Sequence, residues 1–159
     1  MKKITLISLV IGLAWIAFSC SNDNLMYNVH QKRSVYFERE SKTDTIFFSF
    51  VSVEGNDYDY QIPIRVIGKP VKEVQHPVVM VVADSSTAQE NVHYVMGDVV
   101  IPADSVRGVL NIRLNKTGDM KEHSYYLYLR FAEDEYFKPI ADDNYILSIA
   151  DGEYSRPDW

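Results

Sequence analysis

Residues 106–131 limit the architecture of this chain more than any other stretch. Val106, Gly108, Leu110, Ile112 and Leu114 fall on one side of a two-residue period, with Arg107, Val109, Asn111 and Arg113 on the other. One side is almost wholly apolar and the other mostly polar, as in a strand with one face on a core and one toward water. Asn115-Lys116-Thr117-Gly118-Asp119 then supplies turn chemistry, because Gly reaches positive φ freely and Asn and Asp hydrogen-bond nearby backbone. Tyr125, Leu127, Leu129 and Phe131 resume the apolar row, opposite Tyr126, Tyr128 and Arg130. With Val99-Val100-Ile101 ahead of Pro102, residues 87–131 predict three β-strands.

The rest of the chain repeats this grammar. Residues 34–37 predict a strand, and residues 45–53 another, with Phe47 and Phe48 on opposite faces. Tyr58, Tyr60, Ile62, Ile64 and Val66 alternate with Asp59, Gln61, Pro63 and Arg65. Pro63 lacks the N–H of a ladder, so this strand is expected at a sheet edge or bulged there. Residues 77–83 form a continuous apolar run whose length and β-branching predict a buried strand. The last strand is expected at 145–150, with Tyr145, Leu147 and Ile149 in one row, and none is assigned between Phe131 and Tyr145. Eight or so short strands, without a long helical period, predict an all-β fold, an immunoglobulin-like antiparallel β-sandwich.

The first nineteen residues belong to a different grammar. Lys2 and Lys3 precede an apolar run from Ile4 to Phe18, too short to span a bilayer as a helix and typical of a signal peptide. Cys20, the single cysteine of the chain, follows Ala17-Phe18-Ser19. That arrangement resembles the bacterial lipobox, which implies acylation of the Cys20 thiol and a membrane anchor. With one cysteine, no intrachain disulfide forms. The expected organisation is therefore a lipoprotein signal peptide over 1–19, a tether over 20–32 and one sandwich domain over 33–159. Ser21-Asn22-Asp23-Asn24, with Asp23 the tether's one acid, resembles only weakly the acidic stretch after the acylated cysteine of surface-exported Bacteroidota lipoproteins, which implies the outer membrane without deciding which side the domain faces.

Charge and motifs exclude several functions. Loss of Lys2 and Lys3 with the signal takes the net charge from −6 to −8, which disfavours nucleic acid as a partner. His30, His76, His93 and His123 are scattered without ligand spacing, so no metal site or cofactor is expected. Asp57 with Asp59, and Asp142 with Asp143, are the carboxylate pairs a hydrolase would draw on, yet adjacent acids in turns more often serve as solvated caps. No nucleophile elbow or phosphate-cradling glycine loop occurs. The aromatic rows carry the binding chemistry instead. Tyr126, Tyr128 and Arg130, together with Tyr58, Tyr60 and Trp159, are expected on strand faces the core does not need. Sugar rings stack there through their C–H faces while Asn111, Gln61 or Arg130 bond hydroxyls.

Several pieces together resemble one family. Val66-Ile67-Gly68-Lys69-Pro70, Ala88-Gln89-Glu90-Asn91-Val92-His93-Tyr94, Ile101-Pro102-Ala103 and Glu135-Tyr136-Phe137-Lys138-Pro139 look like the Bacteroidota lipoproteins grouped as domain of unknown function 4843. The segment from Ala88 to Tyr94 also resembles the Calx-β sandwich, with His93 where Asp is common. The family resemblance implies a cell-envelope lipoprotein associated with glycan-uptake porin and binding-lipoprotein complexes; since members usually continue beyond the point that residues 153–159 reach, it also implies a domain over 33–159 that is short or C-terminally truncated relative to the family. The Calx-β resemblance implies calcium at acidic loops, for which Asp84, Glu133, Asp134, Asp142 and Asp143 are the candidates. The function expected is a non-enzymatic binding module for glycan or for a porin complex. A polysaccharide- or peptide-degrading hydrolase is the alternative.

Overall fold

The computed structural model describes residues 32–39 and 43–152. The signal peptide, Cys20, the tether, His30 and Trp159 lie outside the described residues. Nine strands occur within them: β1 (Arg33–Phe37), β2 (Thr45–Ser49), β3 (Asp57–Ile67), β4 (Val79–Val81), β5 (Tyr94–Val100), β6 (Arg107–Asn115), β7 (Tyr125–Phe131), β8 (Phe137–Pro139) and β9 (Asn144–Ala150). They form a five-stranded sheet in the order β5-β6-β3-β1-β8 and a four-stranded sheet in the order β2-β9-β7-β4. The fold is an all-β sandwich. Alternation decides which face goes inward: Ile62, Ile64, Leu110, Ile112 and Leu114 of the first sheet, and Leu127, Leu129, Leu147 and Ile149 of the second, are buried. Phe37 and Phe131 stack across the two sheets at 4.4 Å between ring centroids.

Four expectations need correction. The strand at 45–53 ends at Ser49, where a 3₁₀ turn, Phe50–Ser52, begins, with the Ser49 hydroxyl accepting from the Val51 N–H. The run at 77–83 is not a buried strand. Three of its residues form β4, at the edge of its sheet, with Val79 and Val81 turned to the core and Met80 39 % exposed. A further strand, β8, lies between Phe131 and Tyr145 and pairs in parallel with β1, as β2 does with β9. The remaining five pairings among the described residues are antiparallel.

Pro63 supplies the fourth. β3 is not an edge strand but lies between β6 and β1. The Glu38 N–H donates to the Pro63 carbonyl at 2.8 Å. In an antiparallel ladder both polar groups of one residue point to the same neighbour, so the missing N–H of Pro63 faces the position just past the end of β1. The bonds to β6 are untouched.

A buried ion pair pins the start of β9 to the end of β1. The Asp143 carboxylate accepts from the Phe37 N–H at 2.8 Å and from Arg39 at 2.5 Å, and Arg39 also donates to Asp44 at 2.6 Å and to the Asn144 carbonyl at 2.7 Å. Burial pushes the Asp143 carboxyl above its ordinary value, against the Phe37 N–H and the Arg39 charge, which pull it down.

Candidate functional site

β7 is a strand of two rows. Leu127, Leu129 and Phe131 are buried, so Tyr126, Tyr128 and Arg130 project from the opposite, outer face of the four-stranded sheet. Tyr126 is 38 % exposed, Tyr128 is half-buried, and the Arg130 Nε donates to the Met80 sulfur at 3.3 Å. Register builds the surroundings. Tyr126 stands beside Ser148 with Phe47 beyond it, Tyr128 beside Ile146 with Thr45 beyond, and Arg130 between Asn144 and Met80. Past the end of β4, side chains complete this edge of β7. The Thr87 and Ser86 hydroxyls accept from the N–H groups of Tyr126 and Tyr128 at 2.9 and 3.0 Å.

Tyr58 and Tyr60 do not join this row. They belong to β3 in the other sheet, on the side that continues as buried Ile62, Ile64 and Val66. Tyr60 lies against the core with its hydroxyl 3.0 Å from that of Tyr145, whose phenol is pushed far up by burial and further by this bond. Tyr58 stands at the rim, 42 % exposed, its ring 4.9 Å from Phe48. The expectation that both lie on a face unneeded by the core is corrected, because strand period continues their row inward. Gln61 and Asn111 are on the outer face of the five-stranded sheet, bonded to each other at 3.1 Å. Of the five expected residues that are described, Tyr126, Tyr128 and Arg130 therefore share a face.

Beside the Tyr126 end of that face opens a cleft of about 350 Å³. Its floor is Ser148, Ala150 and Gly152, and one wall is Phe47, Phe48 and Ser49. The other is the segment 120–124, which carries Lys121, Glu122, His123 and Ser124. The 3₁₀ turn Gly118–Lys121 sets this wall, with Met120 buried beneath it and the Asp119 carboxylate accepting from the Thr117 hydroxyl at 2.5 Å and from the Tyr125 hydroxyl. Those bonds hold the Asp119 carboxyl below its ordinary value. Sequence reasoning missed the cleft. Its one local signal is the row Ser148, Ala150, Gly152, three small residues at alternate positions on an outward face.

The acids expected as catalytic pairs or calcium ligands are already engaged or apart. Asp57 and Asp59 flank the Arg113 guanidinium at 3.8 and 3.0 Å. Glu133 pairs with Lys32 at 2.6 Å, and the Asp134 carboxylate caps the N–H groups of Tyr136 and Phe137, each at 2.7 Å. Asp142 occupies a left-handed turn with φ of 59°. Asp84, beyond β4, lies at the opposite end of β7 from Glu133 and Asp134. Among the described residues no group of three His, Cys, Asp or Glu side chains is arranged to hold a metal ion.

The sandwich is similar to the crystal structure of a Bacteroides ovatus protein to which carbohydrate binding is ascribed, with a TM-score of 0.53 and 12 % sequence identity. The likeness covers 76 % of this chain and 37 % of that one, so this chain spans little more than a third of the neighbour's length. At that identity the likeness is one of fold. No curated protein matches the chain. The family described as domain of unknown function (DUF4843) matches residues 27–159, a span that takes in every described strand, and the protein belongs to that family.

Proposed function

We propose that this protein is a non-enzymatic carbohydrate-binding module of the cell envelope, anchored through acylated Cys20 at the outer membrane and serving a glycan-uptake complex. The observation that carries the reading is the outward row of Tyr126, Tyr128 and Arg130 on a face the core does not use, adjoining a cleft with both apolar and polar walls. Tyrosine rings offer apolar planes for the C–H faces of a pyranose and hydroxyls for its polar edge, and Arg130 adds a donor fork. The carbohydrate binding ascribed to the structural neighbour supports the same reading. Binding is favoured over hydrolysis because Glu122 is the one carboxylate among the residues lining the cleft, whereas glycoside hydrolysis ordinarily sets two carboxyls across the scissile bond.

A glycan array probed with the purified protein and with the Tyr126→Ala/Tyr128→Ala double variant tests this. Both side chains point away from the core, so the variant is expected to keep its circular dichroism spectrum and lose binding at least tenfold, about 1.4 kcal/mol. An array without signal for the parent protein overturns the glycan reading and leaves docking to a protein partner as the use of this face.

A further inference from the structure

The cleft and the tyrosines are parts of one track, and the inference drawn from this rests on the glycan reading above. Ser124, Tyr126, Tyr128 and Arg130 occupy successive alternate positions along one face of β7 and its approach. At about 3.3 Å per residue the track is roughly 20 Å long, room for several linked sugar rings. Its ends differ. At Arg130 the track is an open strand face between Met80 and Asn144. Ahead of Ser124 the chain leaves the sheet as a 3₁₀ turn, and residues 120–123 form a wall of the cleft. The volume, about 350 Å³, is near the lower limit of the roughly 300–1,000 Å³ seen for small-molecule pockets. The floor of Ser148, Ala150 and Gly152 lets a ring approach the sheet closely, and the rim carries one cation, Lys121, against one anion, Glu122. Within the cleft neither sign is in excess, so nothing there selects a charged terminal sugar.

We infer that the protein reads the end of an oligosaccharide chain whose terminal sugar is neutral: that sugar sits in the cleft and the following units stack on Tyr126 and Tyr128. Internal segments of a polymer fit the tyrosine row alone, so chain ends bind tighter than chain interiors.

The test uses soluble starch, xylan and mannan, each intact and after partial cutting by an endo-acting hydrolase, titrated calorimetrically with the purified protein. The expected result is that protein bound per mass of polymer rises with the number of chain ends. Ala150 faces outward on β9, so Ala150→Phe fills the cleft without entering the core and is expected to weaken binding of the cut chains at least tenfold. If that variant melts below the parent, His123→Ala on the exposed rim takes its place, with a several-fold loss expected. Binding that follows polymer mass, unchanged by either variant, overturns end recognition while leaving the glycan function standing. A parent that binds neither polymers nor fragments removes both.

Discussion

His93 shows how one side chain secures a loop of the family-like segment Ala88 to Tyr94. Its buried ring stacks on Tyr125 at 3.8 Å, and its Nδ1 accepts from the Gln89 N–H at 2.9 Å, which places the proton on Nε2. Asp at this position would offer the same backbone N–H an acceptor. Burial pushes the imidazole below its ordinary value of 6.5, against a smaller upward pull from the Asp119 carboxylate. As pH falls, the unfolded chain therefore takes up the proton first. The His93 contribution to stability is full above about 6.5 and is lost as pH drops through the lower folded value. His93→Phe keeps a ring for the stack but no acceptor, and is expected to cost roughly 1 kcal/mol at neutral pH. It should also remove this part of the acid-side decline. Melting temperatures of both proteins between pH 5 and 8 check it, and parallel curves would refute the assignment.

At the scale of elements, the pairing of β5 with β6 depends on two glycines. A Cβ on Gly108 of β6 would lie 2.5 Å from the Ile101 Cγ1 and 2.6 Å from the Val100 carbonyl oxygen. One on Gly97 would lie 2.5 Å from the Asn111 carbonyl oxygen, at the register shift between Met96 and Val99. Gly108→Ala must displace backbone and is expected to lower stability by about 1–3 kcal/mol, read as a shift in the urea midpoint at unchanged slope. The same elements show what a sequence makes legible. β6 and β7 were readable because one face of each is buried, and burial writes the two-residue period into the residues. β8 was not, since three residues paired with β1 carry too short a pattern to register. The run at 77–83 misled because over its first five residues only alternate ones, Pro77, Val79 and Val81, are buried or half-buried; composition alone does not tell an edge from a centre.

For the whole molecule, the sandwich and the tyrosine row of β7 were legible, and the cleft was not. The cleft joins residues 47–49, 120–124 and 148–152, three segments that no local pattern links. Tyr58 and Tyr60 were legible as a row but not as to which sheet face they take, because aromatic residues suit a core rim as well as a ligand platform. The proposed anchor rests on the first twenty residues alone. Metabolic labelling with a palmitate analogue is expected to mark the protein, and Cys20→Ser is expected to abolish the label and release the protein from the membrane fraction. An unlabelled parent protein would refute acylation.

The two parallel pairings also set an order of events. β9 lies between β2 and β7, so the four-stranded sheet has no centre until residues 144–150 are present, and β8 completes the other sheet only slightly earlier along the chain. Contacts that tie the first strands to the last are slow to form and come late. A chain that emerges from its N-terminus can pair β1, β3, β5 and β6 by residue 115, but cannot close the second sheet over them until its last strand is available. For the export proposed above, the consequence is that the closed sandwich forms only after residues 144–150 have crossed.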